Sequence, residues 1–289
     1  PQPVYQAIDE ADVIFGIGCS FAITGFGLAM PAGKTYIHAT LDPQDLNKDV
    51  QAKHALIGDA KLTLQALLKE LGDGQVNDRG EVATQISQRK EKWLSEWSPK
   101  LLSEEIPISP YRVINELMKV TDPDETIITH DAGSPRDQLS PFWVSNVPLS
   151  YIGWGKTTQL GYGLGLAMGA KLAQPGKLCI NVWGDAAIGF TGMDFETAVR
   201  ERIPILSILL NNFSMAIEIP IMQEAQAKYG STDISGNYAD MAKAFGGYGE
   251  RITDPQEIAA AIERGIQKTR EGTPALLEFI TAKELTISK

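Results

Sequence analysis

Two apolar runs in the second half of the chain each end in polar residues, and their spacing limits what this segment can become. Leu178 to Trp183 runs into Gly184-Asp185-Ala186-Ala187, and Ile205 to Leu210 runs into Asn211-Asn212, 27 positions beyond Asp185. A helix-like stretch lies between them. Two buried strands joined by a helical crossover make a parallel pair. Both polar endings then fall at the carboxyl edge of one sheet, where open α/β sheets bind ligands. An ordinary strand–helix–strand unit with Asp and Asn as turn formers gives the same pattern without a ligand.

The same alternation extends in both directions. Asp12-Val13-Ile14-Phe15 is a short strand ending in Gly16-Ile17-Gly18; Thr35-Tyr36-Ile37-His38 and Ala55-Leu56-Ile57 are two more. Ala60 to Leu71 carries Leu62, Leu64, Leu67, Leu68 and Leu71 at helical spacing, with Asp59 as N-cap. Residues 73–108 read as a linker with one amphipathic helix around Trp93 and Trp97. A second domain begins near Ser109, the expected N-cap of a helix from Tyr111 to Val120. Strand Thr126 to Thr129 ends at His130-Asp131-Ala132-Gly133-Ser134. The helix Leu160 to Ala173 is rich in small residues. Helices near 237–245 and 255–270 and the strand Ala275 to Phe279 complete the pattern. The expected class is α/β: parallel-sheet sandwich domains, with 1–72 a partial Rossmann-like domain and 109–289 a full one. Three strands are few for a domain, and the chain opens on Pro1 rather than Met, so the sequence reads as a piece of something longer.

Composition narrows the functional classes. A net charge of −10 argues against a nucleic-acid partner, which needs basic patches. No apolar run is long enough for a bilayer and no signal peptide stands at the start. The two cysteines, Cys19 and Cys179, lack metal or redox spacing and read as buried thiols of a cytoplasmic protein.

The Gly184-Asp185-Ala186…Asn211-Asn212 pattern resembles the diphosphate-and-magnesium signature of thiamine diphosphate enzymes, written GDG followed by NN. Ala186 replaces the second Gly, which is costly only where that residue needs a positive φ. Residues 109–289 resemble the diphosphate-binding domain of the acetolactate synthase and oxalyl-CoA decarboxylase branch. Residues 1–72 resemble the latter half of its central domain, Tyr36-Ile37-His38-Ala39-Thr40-Leu41-Asp42-Pro43 echoing an "IHIDIDP" pattern. The pyrimidine-binding domain, which carries the family's activating Glu, is not in these residues.

The resemblance implies a ligand set. Mg²⁺ is small and hard and takes oxygen ligands. Asp185 offers a carboxylate, Asn212 an amide oxygen and Ser214 its backbone carbonyl. Backbone N–H groups of Ala186 and Ala187 are expected to face the diphosphate, with Gly184 and Met215 in the same loops. Gly133 and Ser134 lie in the family's first diphosphate loop, although Pro135 cannot donate from its backbone. In Thr158-Gln159-Leu160, Leu160 matches the bulky residue that holds the cofactor bent, and Thr158 offers the carbonyl that meets its amino group. Leu160 is otherwise an ordinary core leucine.

Two charged residues are candidates beside the cofactor. Arg136 has the planar fork that matches a substrate carboxylate, or is simply a surface arginine. Glu218, six residues past Asn212, matches a Glu of pyruvate decarboxylase-like members and could shuttle protons; the alternative is a helix-start Glu favoured by the macrodipole. His130, His38 and His54 read as structural. Gly16-Ile17-Gly18 is half a dinucleotide fingerprint. The branch implies FAD or ADP there, but the expected acid at Thr40 is missing while Asp42 remains. A dehydrogenase reading fails for want of a complete motif.

The resulting expectation is a thiamine diphosphate- and Mg²⁺-dependent carboligase or lyase acting on a small-molecule 2-keto acid, acetolactate synthase-like. The alternatives are a 2-keto acid decarboxylase, an oxalyl-CoA decarboxylase or 2-hydroxyacyl-CoA lyase (Phe190-Thr191-Gly192-Met193 echoes that loop), or a non-catalytic cofactor-binding module. The family's sites form between subunits, which implies a homo-oligomer, dimer or tetramer, or pairing with the N-terminal half.

Overall fold

The computed structural model describes residues 1–23, 29–72, 74, 80–153 and 159–288. The chain divides into two compact units, Pro1–Glu96 and Trp97–Ser288.

The first unit holds a three-stranded parallel sheet. It contains α1 (Gln2–Glu10), β1 (Val13–Ile17), β2 (Thr35–Thr40), β3 (His54–Ile57), α2 (Ala60–Leu71) and most of α3 (Gly80–Leu101). The strand order is β1-β2-β3. Asp59 caps α2, its side chain accepting from Leu62 N–H. The expected leucine stripe is present but uncovered: Leu62, Leu64, Leu68 and Leu71 are all exposed. Helix α1 precedes the first strand, which the sequence reading does not anticipate. Cys19 is exposed, a correction to the buried thiol expected from its apolar neighbours. The boundary between the units falls inside α3, within the 73–108 stretch; residues 73 and 75–79 of that stretch lie outside the described ones.

The second unit is built on six parallel strands. In chain order it has α4 (Pro110–Val120), β4 (Thr126–His130), α5 (Ser134–Leu139), β5 (Tyr151–Ile152), α6 (Tyr162–Ala173), β6 (Leu178–Gly184), α7 (Asp185–Thr191) and α8 (Asp194–Arg200). Then come β7 (Leu206–Asn211), α9 (Gln223–Tyr229), α10 (Tyr238–Ala244), β8 (Tyr248–Ile252), α11 (Ile258–Arg270) and β9 (Ala275–Ile280). The order across the sheet is β5-β4-β6-β7-β9-β8. Strands β4, β6, β7 and β9 are central and almost wholly buried, which is why they read as continuous apolar runs.

Alternate residues serve the two faces. Cys179, Trp183, Ile205, Leu209 and Leu276 face a core shared with Leu164 and Ala167 of α6, Phe195 and Ala198 of α8 and Ala242 of α10. On the other face α11 lies so close that a Cβ on Gly265 would meet Leu206 and Leu277 side chains at 2.8 and 3.0 Å. Full burial of a Leu or Phe side chain stabilises by about 1.5–3 kcal/mol. This two-sided core therefore fixes the sheet and leaves its carboxyl edge to carry loops. Ser109 stands at the N-cap of α4, but its hydroxyl donates to the Lys100 carbonyl instead of capping the helix.

Candidate functional site

Four loops meet at the carboxyl edge of the second sheet. They follow β4, precede α6, follow β6 and follow β7. The parallel pairing of β4 with β6 and of β6 with β7 sets them side by side. A Cβ added to Gly184 would lie 3.4 Å from the Pro135 side chain and 3.9 Å from the Leu210 carbonyl, so the endings of β6 and β7 and the start of α5 are in contact.

Asp185 is the hub. It is 3% exposed and opens α7. Its Oδ2 accepts the backbone N–H groups of Asn212 at 3.1 Å and Ser214 at 3.0 Å. Its Oδ1 accepts the N–H of Ala186 at 2.9 Å. The spacing that placed Asp185 and Asn212 on adjacent strands therefore brings them into direct contact. Burial pushes the Asp185 carboxyl above its ordinary range, against the N–H groups of Ser214, Ala186, Asn212 and Phe213, which favour the charged form.

Asn212 supplies the most telling atom. Its Oδ1 is buried and has no hydrogen-bond partner among the described residues. A buried acceptor left unsatisfied costs about 1–3 kcal/mol. Such an atom, on a residue whose backbone is bonded to a buried carboxylate, fits a site built for a cation, and Asp and Asn oxygens suit Mg²⁺. Phe213, between Asn212 and Ser214, adopts a left-handed φ of 57°. That strained turn lets both flanking N–H groups converge on Asp185.

The loop after β7 is latched from beyond. Met215 N–H donates to the Thr232 carbonyl at 2.8 Å. Thr232 is fully buried and donates from N and Oγ1 to Gln226 Oε1 at 2.7 and 2.6 Å. Ser214 Oγ donates to Thr232 Oγ1 at 3.4 Å. The Ala186 N–H, expected to face a diphosphate, is thus already taken by Asp185, and the N–H of Met215 by Thr232. Ala187 is 1% exposed and belongs to the α6–α8 core. Ala186 sits in the helical conformation of α7, so its replacement of Gly carries no φ penalty.

Asp131 organises the loop before α6. It is fully buried at the end of β4. Its Oδ1 accepts from Ala132 N–H and Gly161 N–H, both at 2.8 Å, and its Oδ2 from Gly163 N–H at 3.1 Å. Gly161 is the N-cap of α6 and has no side chain with which to cap it. Asp131 does so from another strand. Burial raises its carboxyl pKa, opposed by those three N–H groups. Sequence reasoning placed Asp131 at a strand end without this role, because its partners are backbone groups about 30 residues away.

The other expected residues fall around this frame. Gly133 has φ 83° and caps α5, which begins at Ser134; both are half-buried. Gln159 is exposed, and Leu160 is half-buried and packs on the α6–α8 core. Thr158 lies outside the described residues. Thr191 Oγ1 donates to the Gly161 carbonyl at 2.6 Å, tying the end of α7 to the same turn. Arg136 Nε donates to the neighbouring Asp137 at 2.5 Å, so part of its fork is turned to its own helix. Glu218 is half-buried in a one-turn helix, Ala216–Glu218. His130 is buried, and burial lowers its pKa. Tyr238 donates to the Ser235 carbonyl at 3.1 Å and to that of Asp185 at 3.4 Å; burial, with Asp185 and Glu278 nearby, pushes its hydroxyl up to about 12. Among the described residues no helix is long and apolar enough to cross a membrane.

Curated relatives share this chain's sequence along almost all of it. The probable acetolactate synthase large subunit of Methanococcus aeolicus is 28% identical over 96% of this chain and 48% of its own length. The acetolactate synthase large subunit of Mycobacterium tuberculosis is 30% identical over 96% of this chain and 50% of its own. The isozyme 3 large subunit of Escherichia coli is 25% identical over 92% and 47%. The chain thus spans about half the length of these relatives. The central domain of thiamine pyrophosphate enzymes matches residues 1–67, and their C-terminal TPP-binding domain matches residues 131–279, the stretch that holds Asp131, Asp185 and Asn212. The chain belongs to the thiamine pyrophosphate enzyme family.

Proposed function

We propose that this chain is the cofactor-binding portion of a Mg²⁺-dependent, acetolactate synthase-like carboligase that acts on 2-keto acids. The observation that carries this reading is the buried Oδ1 of Asn212, without a hydrogen-bond partner among the described residues, on the residue whose backbone N–H donates to the Asp185 carboxylate. Asp185, Asn212 Oδ1 and the Ser214 carbonyl hold the metal, and a dication there offsets the burial that raises the Asp185 pKa. Gly133, Ser134 and Gly184 border the diphosphate. Leu160, half-buried beside the turn that Asp131 fixes, would support the cofactor. Thiamine diphosphate supplies a carbon nucleophile and an electron sink. Glu218, half-buried in the one-turn helix after β7, would hold or move a proton for the bound substrate.

The activating Glu comes from a pyrimidine domain, so the working assembly is at least a dimer. The first unit is the place for an adenine nucleotide, FAD or ADP. The relatives' names support the reaction class.

The test is product analysis of the full-length protein with thiamine diphosphate, Mg²⁺ and pyruvate. Acetolactate is expected. Acetaldehyde with CO₂ would replace the carboligase by a decarboxylase. Turnover of acyl-CoA substrates alone would move the chain to the oxalyl-CoA decarboxylase side.

A further inference from the structure

Glu278 is a carboxylate in the middle of an apolar strand, Ala275-Leu276-Leu277-Glu278-Phe279, and it has no exposure to solvent. Burying a charge is costly unless every lone pair finds a donor. Here four donors converge. Asn211 Nδ2 and Arg251 Nη2 donate to Oε1 at 2.7 and 2.9 Å. Ala239 N–H and Arg251 Nε donate to Oε2 at 2.9 and 3.1 Å. Arg251 also donates to the Gly236 carbonyl at 3.0 Å. Register explains the meeting. Arg251 on β8 pairs with Glu278 on β9, and Leu209 on β7 pairs with it from the other side. Asn211, two residues past Leu209, shares the same face.

Asn211 passes this arrangement to the loop. Its Nδ2 is held by Glu278, so the amide cannot turn, and its Oδ1 faces Phe213 N–H at 3.0 Å. That bond closes an Asx turn over Asn212 and ends on Phe213, whose φ is left-handed. The turn in turn aims the N–H groups of Asn212 and Ser214 at Asp185 and leaves Asn212 Oδ1 without a partner among the described residues. Asn212 and Ser214 are thus set from one side by Asp185 and from the other by Glu278. The buried ion pair does more than hold two strands together, since β8 and β9 already pair along their length.

We propose that Glu278 and Arg251 are positioning residues for the metal-binding loop, acting through Asn211; this rests on the reading of Asp185, Asn212 and Ser214 as the metal ligands. Glu278 fixes the Asn211 amide, Arg251 fixes Glu278, and the Asn211 side-chain Oδ1 fixes the turn that presents Asn212.

The experiment is a titration of full-length protein with Mn²⁺, a paramagnetic stand-in for Mg²⁺, at saturating thiamine diphosphate, read by electron paramagnetic resonance. Melting temperatures are measured on the same samples without metal. Glu278→Gln places an amide donor against N–H groups. Asn211→Ala cuts the link and leaves the ion pair, so it decides the matter if Glu278→Gln fails to fold. Both are expected to weaken Mn²⁺ binding about 10- to 100-fold, the usual cost of losing support behind a metal ligand. Glu250→Gln is the control: it breaks the contacts of Glu250 with Arg264 and Tyr248 on the same strand as Arg251, away from the loop. It should lower the melting temperature and leave Mn²⁺ affinity unchanged. If Asn211→Ala also lowers the melting temperature while binding Mn²⁺ like the wild type, the positioning role is overturned. If the wild type itself takes up no Mn²⁺ with thiamine diphosphate, the ligand assignment falls first.

Discussion

Replacing Asp131 tests whether a buried carboxylate holds the turn before α6. In Asp131→Ala, the N–H groups of Gly161 and Gly163 lose their partner in a buried position, and Ala132 loses its own. Hydrogen bonds to a charged group contribute about 1.5–3 kcal/mol each, and a donor left unsatisfied costs about 1–3. Two long-range bonds therefore set a gross loss of about 3–6 kcal/mol. Relief of the burial that raises the carboxyl pKa offsets part of it, leaving a net loss of about 2–4 kcal/mol. For a unit of this size that is roughly 5–15 °C in melting temperature. Asp131→Asn keeps the two bonds made to Oδ1 but sets an amide donor against Gly163 N–H, and should cost about 1–2 kcal/mol. Urea unfolding followed by circular dichroism measures both. The pH dependence gives a second reading. The native state keeps the Asp131 proton at pH values where the unfolded chain has lost it near 3.8. Native protein then binds more protons, so this group's contribution to stability falls as pH rises from there through the native value. Asn does not titrate. The gap between wild type and Asp131→Asn should be widest below about pH 4 and narrow toward neutral. An Asn variant as stable as the wild type at every pH would refute the reasoning.

Other outcomes follow from single residues. Asp185→Ala should abolish Mg²⁺-dependent binding of thiamine diphosphate in equilibrium dialysis, and unchanged binding would remove the metal assignment. Gly249→Ala should unfold or strongly destabilise the second unit in a thermal melt, because its Cβ would lie 1.9 Å from the Ala239 carbonyl oxygen and α10 would have to move; a normal melt would disprove that close approach. In native chain a thiol reagent at about pH 8 should label Cys19 quickly and spare Cys179, whose pKa burial raises to about 11. Equal labelling of the two would show that Cys179 is not enclosed.

The legible parts of this chain were those where one residue's neighbours in space follow from its place on a strand. The central strands announced themselves because both faces are buried. The edge strands of the second sheet did not: β5 has two residues, and β8, Tyr248-Gly249-Glu250-Arg251-Ile252, carries a polar pair that looks like loop. The short helices α1 and α9 have too few turns for a period to emerge. The contact of Asp185 with Asn212 was readable because strand pairing and motif length together determine it. The Asp131 clamp was not, since backbone N–H groups leave no mark in a sequence. Glu278 did leave one, a single acid in an apolar run, which demands a buried partner; naming Arg251 requires the register of two strands. Cys19 misled for a related reason: apolar neighbours in sequence say nothing of cover in space.

Ala186 has one more consequence. A glycine at that point roams widely in an unfolded or open chain, whereas alanine confines the backbone, a difference of about 0.4–1 kcal/mol in conformational entropy where the native angles suit both. The confinement is met when the protein folds. The Ala186→Gly variant should therefore unfold more easily in urea by about that amount, with the native contacts of the turn unchanged.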